Sequence, residues 1–190
     1  MVNVPFSRRK QDCLSKADKS SIGGWDKPIE KLCNKINSLE NYYTLSSCSG
    51  RSVLIKNVVE KTHDLFVFRS HAKISFGELK KALELAVKCK EGVMFKLEPV
   101  ILHVCCAKLE DAEKMLNKAR EAGWKNSGIM TLGEGKRIVL ELRSTENLAL
   151  PIVENNKVLV DDNFLKILVR ESNIRLLKTW EKINRLEKVL

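Results

Sequence analysis

Residues 42–55 read Tyr42-Tyr43-Thr44-Leu45-Ser46-Ser47-Cys48-Ser49-Gly50-Arg51-Ser52-Val53-Leu54-Ile55. Two β-prone runs flank a polar hexapeptide, a pattern that predicts two strands joined by a turn at residues 46–51. A turn needs a glycine, and Gly50 supplies it; it does not need three hydroxyls, a thiol and a guanidinium around that glycine. Small side chains let a ligand approach the backbone, where exposed N–H groups bind anions, and the fork of Arg51 suits a carboxylate or phosphate. The alternative is a polar hairpin loop with Arg51 in solvent.

Upstream, Pro5 followed by Phe6, Cys13, Leu14 and Ala17 predicts an amphipathic helix over residues 6–19. Gly23-Gly24 breaks it in a loop over residues 20–26. Lys27-Pro28 opens a second helix, with Ile29, Leu32, Cys33, Ile36 and Leu39 at helical spacing, Asp26 as its cap and an end near residue 41.

Downstream, strands are expected at 42–45, 52–57 and 64–69, with a hairpin connection over 59–64. Ser75 caps a helix carrying Leu79, Ala82, Leu83, Ala86 and Val87, and strands follow at 93–97 and 100–105 around Glu98-Pro99. A helix over 109–122 stops at Gly123, a hairpin joins 127–132 to 137–143, and another turns at Asn155-Asn156. A long basic helix closes the chain from about residue 161. This order implies an α/β fold of α+β character: a mixed β-sheet with several hairpins, flanked by helices, in one domain over residues 1–190. It lacks the strict alternation of a doubly wound fold.

Of the 190 residues, 44% are hydrophobic and 31% charged, as in a soluble globular protein. The apolar run at 99–106 is interrupted by His103 and falls far short of the roughly 20 residues a spanning helix needs, so no membrane association is expected. No apolar run follows Arg8-Arg9-Lys10, which argues against a secretion signal and for the cytoplasm. The six cysteines form no C-x-x-C pair, which points to reduced, mostly buried thiols. A net charge of +10 favours a polyanionic partner, nucleic acid first.

Phosphate-binding loops of the G-x-x-x-x-G-K-[ST] and G-x-G-x-x-G kinds are missing. Ser47 or Cys48 paired with His71 or His103 has no nucleophile elbow around it. His71 ends a strand, in Phe68-Arg69-Ser70-His71, where histidines often bind or catalyse. His103 lies inside an apolar strand, and local sequence leaves it open between a core and a functional role. A metal site from both histidines and Cys105 has only loose spacing behind it, and no metal is expected.

Four motifs act together. Lys19-Ser20-Ser21 with Gly23-Gly24 and Asp26, the Ser46-Ser47-Cys48-Ser49-Gly50-Arg51 turn, Arg69-Ser70-His71, and Glu98-Pro99 with Leu102-His103-Val104 resemble the wybutosine-synthesising protein 3 family of tRNA methyltransferases. The resemblance covers nearly the whole chain, from residues 6–14 through the segment at 123–129 to 163–190. It departs at Phe68, where the family usually carries tryptophan; the aromatic character survives.

The resemblance implies a fold other than the Rossmann methyltransferase and transfer of a methyl group from S-adenosyl-L-methionine. The acceptor it implies is the N4 ring nitrogen of a tricyclic wyosine-type guanosine beside the anticodon of tRNA(Phe), in wybutosine biosynthesis. On that reading Ser47, Cys48, Ser49, Gly50 and Arg51 bind the donor, and His71, His103 and Asp26 are the catalytic candidates. Ser21, Gly24 and Phe68 would face the substrate base, and the basic surface would hold the anticodon arm. The rivals are a non-catalytic RNA-binding protein that grips phosphate with the serine-rich turn, and a small metal-dependent enzyme. Oligomeric state is left open.

Overall fold

The computed structural model describes residues 5–16, 24–58, 64–132 and 137–190. Ser21, most of the loop expected over residues 20–26, the connection at 59–63 and the Gly133-Glu134-Gly135 join lie outside the described residues. Helix α1 (Phe6–Leu14) and helix α2 (Lys27–Ser38) precede strands β1 (Tyr42–Cys48), β2 (Arg51–Lys56) and β3 (Phe66–Ser70). Helix α3 (Phe76–Ala86), strands β4 (Val93–Glu98) and β5 (Ile101–Cys106) and helix α4 (Leu109–Glu121) follow. Strands β6 (Gly128–Thr131), β7 (Ile138–Arg143), β8 (Leu148–Glu154) and β9 (Lys157–Val158) lead to helix α5 (Asp162–Val189).

The α+β class and the long closing helix hold, but among the described residues the single mixed sheet is corrected to two wholly antiparallel ones. Their strand orders are β1-β5-β7-β6 and β3-β2-β4-β8-β9. Strands β1 and β2 pair with different partners, so the segment between them is no hairpin. The backbone gives the reason. A two-residue hairpin of type I′ needs positive φ at both loop positions, and type II′ needs it at the first. Of Ser49 and Gly50 only Gly50 has it, at +93°, whereas Asn155 and Asn156 have φ of 49° and 57° and the β8–β9 hairpin forms. The polar hexapeptide is also mostly strand, since Ser46, Ser47 and Cys48 belong to β1.

The chain divides into two compact units. One comprises residues 1–49, 100–145 and 180–190, the other residues 50–99 and 146–179. In the first, Leu102 and Val104 of β5 lie opposite Leu142 and Leu140 of β7. That face buries Ile29, Leu32, Cys33 and Ile36 of α2, Ala112, Met115 and Ala119 of α4, and Ile183 and Leu186 of α5. Each fully buried Leu or Ile contributes about 1.5–3 kcal/mol, so the apolar stripe of α2, more than its propensity, holds that helix in place. Trp124 is fully buried and donates its Nε1–H to the carbonyl of Lys182 at 3.1 Å.

In the second unit Leu54, Val93, Phe95, Ile152 and Val153 pack against Leu79, Leu83 and Ala86 of α3 and Leu165, Leu168 and Val169 of α5. A capping box starts α3: Ser75 Oγ accepts the Glu78 N–H at 3.2 Å while Glu78 Oε2 accepts the Ser75 N–H at 2.7 Å. Among the described residues, no helix is long and apolar enough to cross a membrane.

Candidate active site

Asp26 stands at the N-cap of α2, yet its side chain makes no capping bond, which corrects the capping role its position suggested. Local chemistry explains this. The second helical residue is Pro28, which has no N–H, and the N–H of Ile29 is already taken by the Asp26 carbonyl at 3.0 Å. The carboxylate is thereby released to another partner. Its Oδ2 accepts the backbone N–H of Ser49 at 2.8 Å and the Ser49 hydroxyl at 3.0 Å. Ser49 is fully buried, so these charge-assisted bonds satisfy a donor pair that water does not reach.

Strand alternation sends neighbouring side chains of β1 to opposite faces. Ser47, opposite Leu102, hydrogen-bonds to Cys33 of α2 on the core side. Burial pushes the Cys33 thiol up to about 12, against the opposing effect of that hydrogen bond, so it stays neutral. Ser46 lies opposite His103 after a bulge in β1, and His103 lies opposite Glu141. Ser46 Oγ is 2.7 Å from His103 Nδ1, and His103 Nε2 is 3.3 Å from Glu141 Oε2. His103 is therefore no core histidine. It sits in a polar row on the face of β5 away from Leu102 and Val104, with its side chain 21% exposed. Cys105 is wholly buried and burial raises its thiol; Cys106 is pushed up to about 12 for the same reason.

In the second unit the β2–β4 register sets Arg51 opposite Glu98. Arg51 donates its Nε–H to Glu98 Oε2 at 2.6 Å, and its guanidinium lies 5.0 Å from the Phe66 ring centroid. Arg69 lies 5.5 Å from the same centroid. Held by an ion pair and a ring, Arg51 presents its guanidinium in a fixed orientation. At Gly50 an added Cβ would meet the Glu98 carbonyl oxygen and Leu176 Cδ1, each at 3.2 Å. His71, half-buried, follows directly on β3. Phe68 pairs with Leu54 and packs partly buried against the second core, so the ring engaged by guanidinium groups is Phe66. Gly24 lies in a bend with open space where a side chain would begin.

Residues 8–190 match the family model described as Methyltransferase TYW3. The chain belongs to the TYW3 methyltransferase family. A Danio rerio relative, tRNA wybutosine-synthesizing protein 3 homolog, is 35% identical over 97% of this chain and 74% of its own length. A TYW3-type relative from Archaeoglobus fulgidus, tRNA(Phe) 7-((3-amino-3-carboxypropyl)-4-demethylwyosine(37)-N(4))-methyltransferase, is 34% identical over 87% of this chain and 82% of its own. The solved structure of PH1069 protein from Pyrococcus horikoshii superposes with a TM-score of 0.85 at 31% identity, covering 98% of this chain and 96% of that one. The TYW3 match extends to the fold, and none of these architectures is a Rossmann sheet.

Four residues of this TYW3 chain escaped the reading of site residues from sequence. Ser46 and Glu98 stand inside quoted motifs with nothing local to mark their roles. Phe66 is one aromatic in an aromatic strand. Glu141 alternates with Leu140 and Leu142 as any outward-facing strand residue does, and only the β5–β7 register brings it to His103.

Proposed function

We propose that the chain transfers a methyl group from S-adenosyl-L-methionine to the N4 ring nitrogen of a tricyclic wyosine-type guanosine beside the anticodon of tRNA(Phe). The observation that carries this reading is the match of residues 8–190 to a methyltransferase family, together with relatives whose names specify that nitrogen and that tRNA. Residues 1–190 then serve as one methyltransferase domain, working in the cytoplasm.

Methyl transfer from a sulfonium needs an in-line approach of the acceptor nitrogen, so positioning supplies much of the acceleration. Ser47, Cys48, Ser49, Gly50 and Arg51 bind the donor, with the Arg51 guanidinium toward its carboxylate. Asp26 holds Ser49 in place. His71 and His103 orient the acceptor base or take its proton, and Gly24 and Phe68 lie on the side of the base. Lysines and arginines of the surface hold the anticodon arm through phosphates, which position the RNA without reading its sequence.

Calorimetric titration with S-adenosyl-L-methionine tests the reading, alongside methyl transfer to tRNA(Phe) carrying the unmethylated tricyclic base. Saturable donor binding with methyl incorporation supports it. RNA binding with no donor binding, in the presence or absence of the anticodon stem-loop, replaces it with the non-catalytic RNA-binding reading.

A further inference from the structure

Three side chains form one hydrogen-bonded row across three adjacent strands: Ser46 of β1, His103 of β5 and Glu141 of β7. A row of this kind has a defined proton order. An ionised carboxylate only accepts, so the His103 nitrogen that faces Glu141 must carry the hydrogen, and in the neutral ring Nδ1 is then an acceptor. The Ser46 hydroxyl, 2.7 Å from Nδ1, donates to it and leaves its oxygen lone pairs open. When the ring takes a second proton, both nitrogens donate and the Glu141 carboxylate, 3.3 Å from Nε2, balances the charge.

We propose that Glu141 is a positioning residue of the methyl-transfer reaction: it fixes the His103 tautomer, and Ser46 and His103 then relay the proton that the acceptor nitrogen loses. The inference rests on the methyl-transfer reading. The balance closes without a further reactant. The nitrogen forms its bond to the methyl carbon, the carbon–sulfur bond breaks with its electron pair left on sulfur, and the ring N–H proton passes to Ser46 Oγ. The Ser46 proton moves to His103 Nδ1, and the imidazolium later gives a proton to water. Ser46 is exposed, so the row is open to a substrate at its β1 end.

Glu141 is partly exposed, with the core residues Leu140 and Leu142 on either side of it pointing the other way, so its variants should fold. Two-bond 1H–15N spectra, with His103 assigned by His103→Gln, read the tautomer directly. The Nε2–H form is expected in the wild type and in Glu141→Gln, whose amide oxygen still accepts, and a tautomer mixture in Glu141→Ala. Single-turnover methyl transfer at saturating donor and tRNA should slow by about tenfold to a hundredfold in Glu141→Ala, part of what a general base supplies, with donor affinity unchanged. Ser46→Ala combined with Glu141→Ala should be little slower than Ser46→Ala alone, because the two act in one relay.

A His103 ring in the Nδ1–H form, or a Glu141→Ala rate equal to wild type, overturns the proposal. A wild-type chain that transfers no methyl group overturns the functional reading, and the relay with it. The tautomer spectra distinguish that failure from a misplaced Glu141.

Discussion

Asp26 Oδ2 accepts both the N–H and the hydroxyl of Ser49, at 2.8 and 3.0 Å, across 23 residues of chain. Pro28 frees the carboxylate for this by removing the helix donor that a cap would otherwise take. Ser49 needs it because its donors are buried.

Replacing Asp26 with Ala leaves that buried donor pair unpaired, at a cost of about 1–3 kcal/mol. Denaturant unfolding should register that loss. Donor affinity should fall as well, while Asp26→Asn, which keeps one acceptor, loses less of both. A variant as stable as wild type would show that Ser49 finds another partner.

Arg51 is held through Nε by Glu98 and by the face of Phe66, which leaves the rest of its planar fork for a carboxylate; a lysine ammonium held by the same two groups has no such fork. Arg51→Lys should weaken donor binding by about tenfold, roughly 1.4 kcal/mol, with tRNA affinity nearly intact. Calorimetry of the donor beside filter binding of tRNA separates the two. Equal loss of both would take the turn out of donor recognition.

Gly50 has φ of +93°, and a methyl group there would press on the Glu98 carbonyl oxygen at 3.2 Å. Gly50→Ala should cost about 1–3 kcal/mol of stability, because strain and a close contact add. A thermal or denaturant midpoint unmoved by the change would mean that the backbone relaxes there at little cost.

Burial raises Cys33 and Cys106 from an ordinary 9.0 to about 12, and Tyr42 from 10.0 to about 12. Folded groups that keep their protons while the unfolded chain releases them make stability fall as pH rises. For the thiols the window is pH 9.0 to about 12, and below it they add no pH dependence. Each group contributes a slope of up to about 1.4 kcal/mol per pH unit. Urea unfolding at pH about 8 and about 10.5 should show the decline, and Cys33→Ala should make it shallower.

Much of the local structure was legible in residue order. The Ser75 cap, the Asn155-Asn156 turn and the glycine stop at Gly123 are short-range chemistry, settled within a few residues. So were the apolar stripes of α2 and α4. The spacing over residues 6–19 predicts a longer helix than forms, since α1 ends at Leu14, and the polar hexapeptide predicts a turn where half of it continues β1.

The candidate site was legible only as a set of residue types. That Asp26, Ser47, Ser49, Arg51 and His103 belong to it followed from motifs. Their partners did not: Glu98 for Arg51 and Glu141 for His103 lie 47 and 38 residues away and are chosen by strand register, and Cys33 is brought to Ser47 by the packing of α2.

By itself the sequence determined the elements, the family motifs and the absence of nucleotide-binding loops, all properties of neighbouring residues. Only the tertiary structure decided that β1 and β2 enter different antiparallel sheets and that Ser46, His103 and Glu141 form one row. Pairing is selected by the burial of whole faces, and a shift of one residue in β5 or β7 would turn that row toward the core.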